Sequence, residues 1–186
     1  MLRCSKYINK GKRGISTVLK VIPSSSLIDE EVVIQAENLS GKSKVILESN
    51  LISEKERIHF QSKCYFKTNG QTLSTQTDSP LEGSSYSGIH SSGPLWSMSR
   101  KSGYKSRLWP EDIMAKLCYS FVLRDAESDN VIAEAVATKS YVSQDVRRIE
   151  IKDGPVNGVL FLPSEPSPAI ITLYGGVNNG KVPEDR

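Results

Sequence analysis

Two adjacent glycines, Gly175 and Gly176, are the residues of this sequence that best fit a chemical role. They follow an apolar run typical of a strand. Without a Cβ, such glycines let backbone N–H groups approach a phosphate or an oxyanion closely. Gly180 and Lys181 extend the match to a P-loop, but Val182 stands where that loop needs Ser or Thr for magnesium. Nucleotide binding is therefore disfavoured, and a glycine turn in a solvated loop remains the alternative to an oxyanion loop.

Few side chains in the sequence could act as bases, nucleophiles or soft metal ligands. The histidines and cysteines are His59, His90, Cys4, Cys64 and Cys118. The cysteines lack the C-x-x-C spacing of a zinc site, so we expect no metal centre. Cys64 and Cys118 lie in strand patterns, where a cysteine usually packs as a small core residue. His90 has no cysteine or carboxylate close to it in the sequence, which disfavours a catalytic role.

Charge is distributed unevenly along the 186 residues, although the net charge is only +3. Of the 24 Lys and Arg, six lie in residues 1–28, which contain no acidic residue. Residues 29–186 therefore carry 18 basic against 21 acidic side chains. Because nucleic-acid-binding proteins concentrate positive charge on their folded surface, we do not expect a nucleic acid as partner. No apolar run approaches the ~18 residues of a membrane-spanning helix.

Residues 1–16 predict a basic, flexible leader. Their basic side chains, together with serine and no carboxylate, give the charge bias of a mitochondrial transit peptide. Gly11 and Gly14 weaken the amphipathic helix that import prefers, so a disordered basic tail is the alternative. We expect an intracellular protein, in mitochondria, the cytosol or peroxisomes, and the leader favours mitochondria.

Short apolar stretches separated by turns predict an antiparallel β-sandwich after the leader. Arg57–Thr68 alternates most clearly, with Cys64 and Phe66 on the face opposite to His59. The Asn69-Gly70 pair predicts a tight hairpin into the next strand. Further strands are predicted at Val18–Ile22, at Val32–Ala36, from Val45 onward, and in a second hairpin of Ile113–Arg124 with Val131–Val142.

A serine- and glycine-rich segment, Gly83–Ser106, separates the predicted hairpins. It also carries aromatic residues, which a pure linker would lack. Long loops of this kind are usually functional or packed on the surface that they cross. We therefore expect Leu95 and Trp96 to be packed against the sandwich or against a neighbouring domain.

The sequence after Glu150 favours a different architecture. Val159–Leu162 and Ala169–Tyr174 are apolar runs without charge, as in α/β strands that are buried on both faces. Between them, Pro163, Pro166 and Pro168 require a turn. Asp145–Glu150 is predicted to be a charged linker between domains.

Three blocks, in sequence order, resemble one known family. They are PSSSLIDEEVVIQAENL (Pro23–Leu39), GSSYSGIHSSGPLWSM (Gly83–Met98) and VRRIEIKDGPVNGVLFLP (Val146–Pro163). From Pro23 onward the chain resembles the acyl-CoA thioesterases and bile acid-CoA:amino acid N-acyltransferases. The resemblance implies an immunoglobulin-like sandwich followed by an α/β-hydrolase domain.

The charge composition predicts the leader at residues 1–16, and the resemblance implies a sandwich domain at 17–150 and the truncated start of a hydrolase domain at 151–186. The family uses a Ser or Cys on a G-x-[SC]-x-G elbow with Asp and His, and the sequence contains no such elbow. Only Gly175 and Gly176 match part of a site, the oxyanion loop. Acyl-CoA would be the substrate of the full-length protein, the hydrolase domain its intramolecular partner, and no cofactor is expected.

Two functional hypotheses remain open from the sequence. The chain is either a family member that lacks the catalytic triad and is inactive alone, or a standalone β-sandwich module whose loop Gly83–Arg107 binds a protein partner. If the reading frame continues downstream and encodes a G-x-[SC]-x-G elbow, the first hypothesis is favoured.

Overall fold

The structure, a computed structural model, describes residues 16–53, 58–100 and 112–172. These residues form a mainly β fold with one short helix, α1 (Gly93–Trp96). The strands are β1 (Val18–Ile22), β2 (Ser25–Leu27), β3 (Val33–Glu37), β4 (Lys44–Ser53), β5 (Ile58–Lys67), β6 (Thr72–Ser74), β7 (Ser99–Arg100), β8 (Leu117–Asp125), β9 (Val131–Ser140), β10 (Arg147–Asp153) and β11 (Val156–Leu162). Residues 1–15 of the predicted leader lie outside the described residues.

The strands form three sheets with antiparallel pairing. The largest sheet has the order β2-β9-β8-β4-β5-β7, and a three-stranded sheet has the order β1-β3-β6. The remaining two strands, β10 and β11, pair only with each other. The prediction of a mainly β, antiparallel chain is therefore confirmed.

Period-two alternation explains which face of each central strand is buried. In β5, Phe60, Cys64 and Phe66 are buried, whereas His59 lies on the other face and is half-buried. In β8, the alternate residues Tyr119, Phe121, Leu123 and Asp125 are buried. The predicted inward face of β5 and the predicted hairpin of β8 with β9 are therefore confirmed.

The predicted hairpin at Asn69-Gly70 was wrong. The strand after it, β6, pairs with β3 in the three-stranded sheet rather than with β5. Gly70 adopts φ +83°, and its carbonyl accepts a hydrogen bond from Gly41 N at 2.8 Å. Asn69 Oδ1 accepts hydrogen bonds from the backbone N–H groups of Gln71 and Thr72. These local bonds turn the chain away from β5, so the glycine marks a crossover between sheets.

The described residues divide into two compact units. The first contains residues 16–53, 58–100 and 116–139, and the second contains residues 112–115 and 140–172. The second unit corrects two predictions. The supposed linker Asp145–Glu150 runs into β10, because Arg148 and Glu150 pair with Phe161 and Val159 of β11.

The predicted burial of the apolar runs after Glu150 was also wrong. The run Val159–Leu162 lies in β11, but Leu160 and Leu162 remain exposed. The described part of the next run, residues 169–172, is not in a strand, and Ile170 and Ile171 are exposed. Among the described residues, these uncharged runs therefore lack the two covering layers that a buried parallel strand needs.

A buried lysine joins the end of β9 to the turn after β2. Lys139 is 2% exposed, and its ammonium donates hydrogen bonds to the carbonyls of Leu27, at 2.9 Å, and Glu30. Burial lowers the pKa of Lys139, and the nearby carboxylates of Glu30 and Asp29 oppose that shift. The ammonium thus satisfies two carbonyl groups, which would otherwise lack this donor.

We predict that Lys139→Met destabilises the fold. Methionine keeps the length and apolar surface of the side chain but leaves both carbonyls without their donor, which costs about 2 kcal/mol in the free energy of unfolding. Urea denaturation measures this loss. Lys152→Met is the matched control, because the Lys152 side chain is 76% exposed, and its effect should stay within about 0.5 kcal/mol. Equal losses in the two variants would contradict the role assigned to Lys139.

An ion pair joins the end of the β8–β9 hairpin to Lys42, in the segment before β4. Asp125 is buried, and its Oδ2 accepts hydrogen bonds from Lys42 Nζ and from Ser128 Oγ, each at 2.9 Å. The backbone N–H of Glu127 also donates to its Oδ1, at 3.3 Å. The bond from Lys42 makes the largest contribution to a lowered pKa of Asp125. The charged carboxylate therefore stabilises the folded state.

We predict that this contribution of Asp125 depends on pH. Because the folded-state pKa lies below the unfolded value of about 3.9, the stabilisation is complete above that value and is lost as the pH falls through the folded-state pKa. Asp125→Asn should lower the free energy of unfolding at pH 7 and have progressively less effect below about pH 4. Urea denaturation from pH 7 downward tests this, with Glu127→Gln as the exposed control. A difference from wild type that stays constant at acid pH would contradict it.

Candidate functional site

The glycines singled out as an oxyanion loop, Gly175 and Gly176, lie outside the described residues. The same holds for Gly180 and Lys181 of the P-loop spacing. Their role stays a prediction. Within the described residues, the segment Gly83–Met98 brings most candidate groups together, and we call it the serine loop.

Serine side chains attach the serine loop to the backbone of β5. Lys63 N donates a hydrogen bond to Ser85 Oγ at 2.9 Å, and Ser85 N donates one to Lys63 O at 3.0 Å. Tyr65 N donates to Ser84 Oγ at 2.9 Å. The serines therefore satisfy backbone groups along the edge of β5 that no strand pairs at these positions.

The far end of the serine loop is fixed to both larger sheets. Val32 N donates to Ser92 Oγ at 2.9 Å, and Thr75 Oγ1 donates to the carbonyl of Ser91 at 2.7 Å. Ser62, on the inward face of β5, donates its hydroxyl hydrogen bond to the carbonyl of Pro94. The loop is consequently an ordered part of the first unit, as its aromatic content predicted.

Tyr86 and Gly93 form the packed centre of the serine loop. Tyr86 is 6% exposed, and a Cβ on Gly93 would lie only 2.3 Å from ring atoms Cε2 and Cζ. Gly93 is therefore required for space. Burial raises the pKa of Tyr86, and the charge of a nearby Cys64 thiolate would raise it further. The only signal of this contact in the sequence is the Gly93-Pro94 pair, and the sequence analysis assigned no role to it.

The thiol of Cys64 lies beneath this packed centre. Cys64 is fully buried, and burial raises the pKa of its thiol to about 11, opposed by hydrogen bonds with Ser85 and Ser62. A thiol with such a pKa stays protonated at neutral pH, whereas the thiolate is the nucleophile. Cys64 therefore acts as a core residue, as its strand pattern predicted.

Trp96 occupies the outside of the serine loop, so the prediction that it packs against the sandwich was wrong, and packing against a neighbouring domain stays a prediction. Gly93 and Pro94 take the buried positions of α1, and Trp96, at the end of the helix, is 58% exposed. One edge of the indole remains near Tyr86, with ring centroids 5.7 Å apart. Tyr86 rather than Trp96 is the aromatic residue that anchors the loop.

His90 is held by the exposed indole. Trp96 Nε1 donates a hydrogen bond to His90 Nδ1 at 3.2 Å, and the two rings meet edge to face at 5.4 Å. This bond requires an unprotonated Nδ1, so in neutral His90 the proton is on Nε2. The partner of His90 is thus an indole and not the nucleophile or carboxylate of a catalytic triad.

His59 lies elsewhere on the large sheet. Its Nε2 is 2.9 Å from Asn50 Oδ1 on the neighbouring strand β4. Across residues 16–53, 58–100 and 112–172, no group of three or more His, Cys, Asp or Glu side chains could hold a metal ion. Among the same residues, no helix has the length and apolar character needed to span a membrane.

We predict that Gly93→Ala destabilises the fold by forcing Tyr86 out of its position. Overpacking of this kind costs about 1–3 kcal/mol in the free energy of unfolding. Gly158→Ala is the matched control, because a Cβ there meets nothing within 4 Å. Thermal and urea denaturation of both variants measure the difference. If Gly93→Ala proves as stable as Gly158→Ala, the packing described for Tyr86 is wrong.

Residues 29–153 match the family model described as the acyl-CoA thioester hydrolase/BAAT N-terminal region. The chain is 30% identical over 168 residues to bile acid-CoA:amino acid N-acyltransferase of Mus musculus, covering 85% of this chain and 40% of that protein. It is 32% identical over 162 residues to acyl-coenzyme A amino acid N-acyltransferase 2 of Mus musculus, covering 82% and 38%. Acyl-coenzyme A thioesterase 2, mitochondrial, of Mus musculus is 28% identical over 166 residues, covering 86% and 36%.

The chain spans about 40% of the length of these curated relatives. The matched region runs from Asp29 to Asp153 and so includes β3 to β10, with the serine loop between them. The chain therefore belongs to the family defined by the acyl-CoA thioester hydrolase/BAAT N-terminal region.

Proposed function

We propose that this chain serves as the amino-terminal, immunoglobulin-like β-sandwich region of an acyl-CoA thioester hydrolase or acyl-CoA:amino acid N-acyltransferase. The family match over residues 29–153 is the observation that carries this proposal. The fold agrees with it, because two antiparallel sheets of six and three strands lie in one compact unit and bury their inward side chains. Acyl-CoA is the substrate class of the proposed full-length protein.

The described residues support a non-catalytic role for this region by itself. Attack on a thioester through a covalent intermediate needs a nucleophile beside a base that a third group orients. The Cys64 thiol is buried and protonated, and His90 Nδ1 accepts the indole hydrogen bond. Neither side chain can therefore start the reaction, and turnover belongs to a hydrolase domain in a longer protein. Gly175 and Gly176 remain the proposed oxyanion donors.

The proposed domain division keeps a leader at residues 1–16, the sandwich at 17–150 and the start of a hydrolase domain at 151–186. The boundary between residues 150 and 151 stays a prediction. Strand β10 runs across it, and the two compact units divide earlier, after Lys139. We propose an intracellular location, with mitochondria favoured by the basic leader. The similarity to a thioesterase named as mitochondrial supports that assignment.

A standalone interaction module is the second candidate function. The observation that favours it is the exposure of Ile89 and Trp96, 59% and 58%, on the serine loop. Large exposed apolar side chains on one surface segment are typical of protein contact sites. The in-frame coding sequence downstream distinguishes the two functions, because a G-x-[SC]-x-G elbow there would establish a catalytic domain.

We predict that the purified chain does not release CoA from long-chain acyl-CoA. A thiol-reactive chromophore detects free CoA, and acyl-coenzyme A thioesterase 1 of Mus musculus serves as the positive control. The rate with this chain should equal the blank, because no nucleophile is paired with a base among the described residues. Release above the blank that His90→Ala abolishes would contradict the proposal and assign catalysis to the serine loop.

A further inference from the structure

Three buried hydroxyl groups around α1 have no hydrogen-bond partner. They are Ser49 Oγ, Tyr86 OH and Ser97 Oγ, and none of them is paired among the residues that the structure describes. Ser49 is fully buried and Tyr86 is 6% exposed, so bulk solvent cannot satisfy either hydroxyl. Native structures almost always supply a partner to a buried polar group. The side chains of Ser49 and Tyr86 therefore indicate a small bound molecule between them.

Two small side chains interrupt the inward face of the large sheet beneath α1. The register places Ser49 of β4 directly opposite Ser62 of β5, and both are buried. Their neighbours along the inward face include the larger side chains Leu47, Leu51 and Phe60. Residues that face each other in an antiparallel pair have Cβ atoms about 5 Å apart. One small molecule can therefore contact the hydroxyls of both serines.

The helix α1 covers this pair of serines and brings Tyr86 to it. Ser62 donates its hydroxyl hydrogen bond to the carbonyl of Pro94, which belongs to α1. A Cβ on Gly93, the preceding residue, would lie 2.3 Å from Tyr86 Cζ, the atom that carries the phenol oxygen. Gly93 and Pro94 are the buried residues of this single helical turn. The phenol oxygen and the two serines therefore meet at the same turn of α1.

The hydrogen bonds of Ser62 determine what the bound molecule must offer. The Ser62 proton is donated to Pro94, and its oxygen shares a second bond with the Cys64 side chain, in which the thiol is the donor. A serine oxygen has two lone pairs, so one of them can still accept a hydrogen bond. Ser49 and Tyr86 each have a hydroxyl proton to donate. The bound molecule must therefore accept two hydrogen bonds and donate one.

We propose that an internal water molecule binds at this site, beneath α1. Its oxygen accepts hydrogen bonds from Ser49 and Tyr86, and one of its protons is donated to Ser62 Oγ. About three hydrogen bonds are usual for a buried water, which is then a fixed part of the structure. The water connects β4 and β5 to Tyr86, the residue that anchors the serine loop. It therefore helps to hold the loop on the sheet.

Oxygen-17 magnetic relaxation dispersion of the full chain tests the proposal, because it detects long-lived internal waters and not hydroxyl protons. The double variant Ser49→Ala/Tyr86→Phe removes two of the three partners with little change in shape. Since apolar cavities stay dry, this variant should lose the signal of about one internal water per chain. The matched control, Ser120→Ala/Tyr65→Phe, removes the same groups from the outward face of β8 and β5 and should keep the full signal. Circular dichroism verifies that each variant is folded.

A crystal structure of the wild-type chain is a second measurement that does not depend on the folding of any variant. It should show an ordered water within about 3 Å of Ser49 Oγ, Tyr86 OH and Ser62 Oγ. Equal relaxation dispersion in the wild-type chain and in Ser49→Ala/Tyr86→Phe overturns the proposal. A crystal structure in which the hydroxyls of Ser49 and Tyr86 donate to backbone carbonyls or to each other overturns it as well.

Discussion

The first unit depends on one row of inward side chains across the three central strands β5, β4 and β8. Val45 pairs with Phe66, and Leu47 pairs with Leu123, so large and branched side chains lie beside each other on the inward face. All four are fully buried. A shift of one residue in the register would turn this row to solvent, so burial fixes the pairing. The fixed edge of β5 then provides the backbone groups that hold the serine loop.

Local patterns in the sequence predicted this row well. Alternation in Arg57–Thr68 indicated the buried face of β5, and the acidic turn after Arg124 indicated the β8–β9 hairpin. Local patterns could not predict which strand pairs with β6. Asn69-Gly70 specifies backbone angles at the turn, but the choice between β3 and β5 depends on contacts with residues around Gly41. Turn chemistry therefore predicts where a chain reverses and not which sheet it enters.

The candidate site was harder to predict because its geometry depends on the space left by the absent side chain of Gly93 more than on the hydrophobicity of each residue. Hydrophobicity favoured burial of Trp96, but the missing side chain of Gly93 lets Tyr86 fill the inward position instead. In the second unit, the charges that suggested a linker at Asp145–Glu150 alternate with Ile149 and Ile151. Alternation between charged and apolar residues is also what an amphipathic strand requires. The family resemblance rests on three long blocks in sequence order. A single short motif would not have been specific enough to indicate it.

The central claim is that the inward row carries the stability of the first unit, whereas Ile149, Leu160 and other apolar residues of β10 and β11 remain exposed within the part of the chain that the structure describes. Native-state hydrogen exchange at low micromolar concentration tests this most directly, since it reports the opening free energy of each amide. Amides of β4, β5 and β8 should exchange only through global unfolding, and those of β10 and β11 should exchange orders of magnitude faster. Equal protection of β11 and β4 would contradict the account, because the hairpin would then be buried within the same cooperative unit.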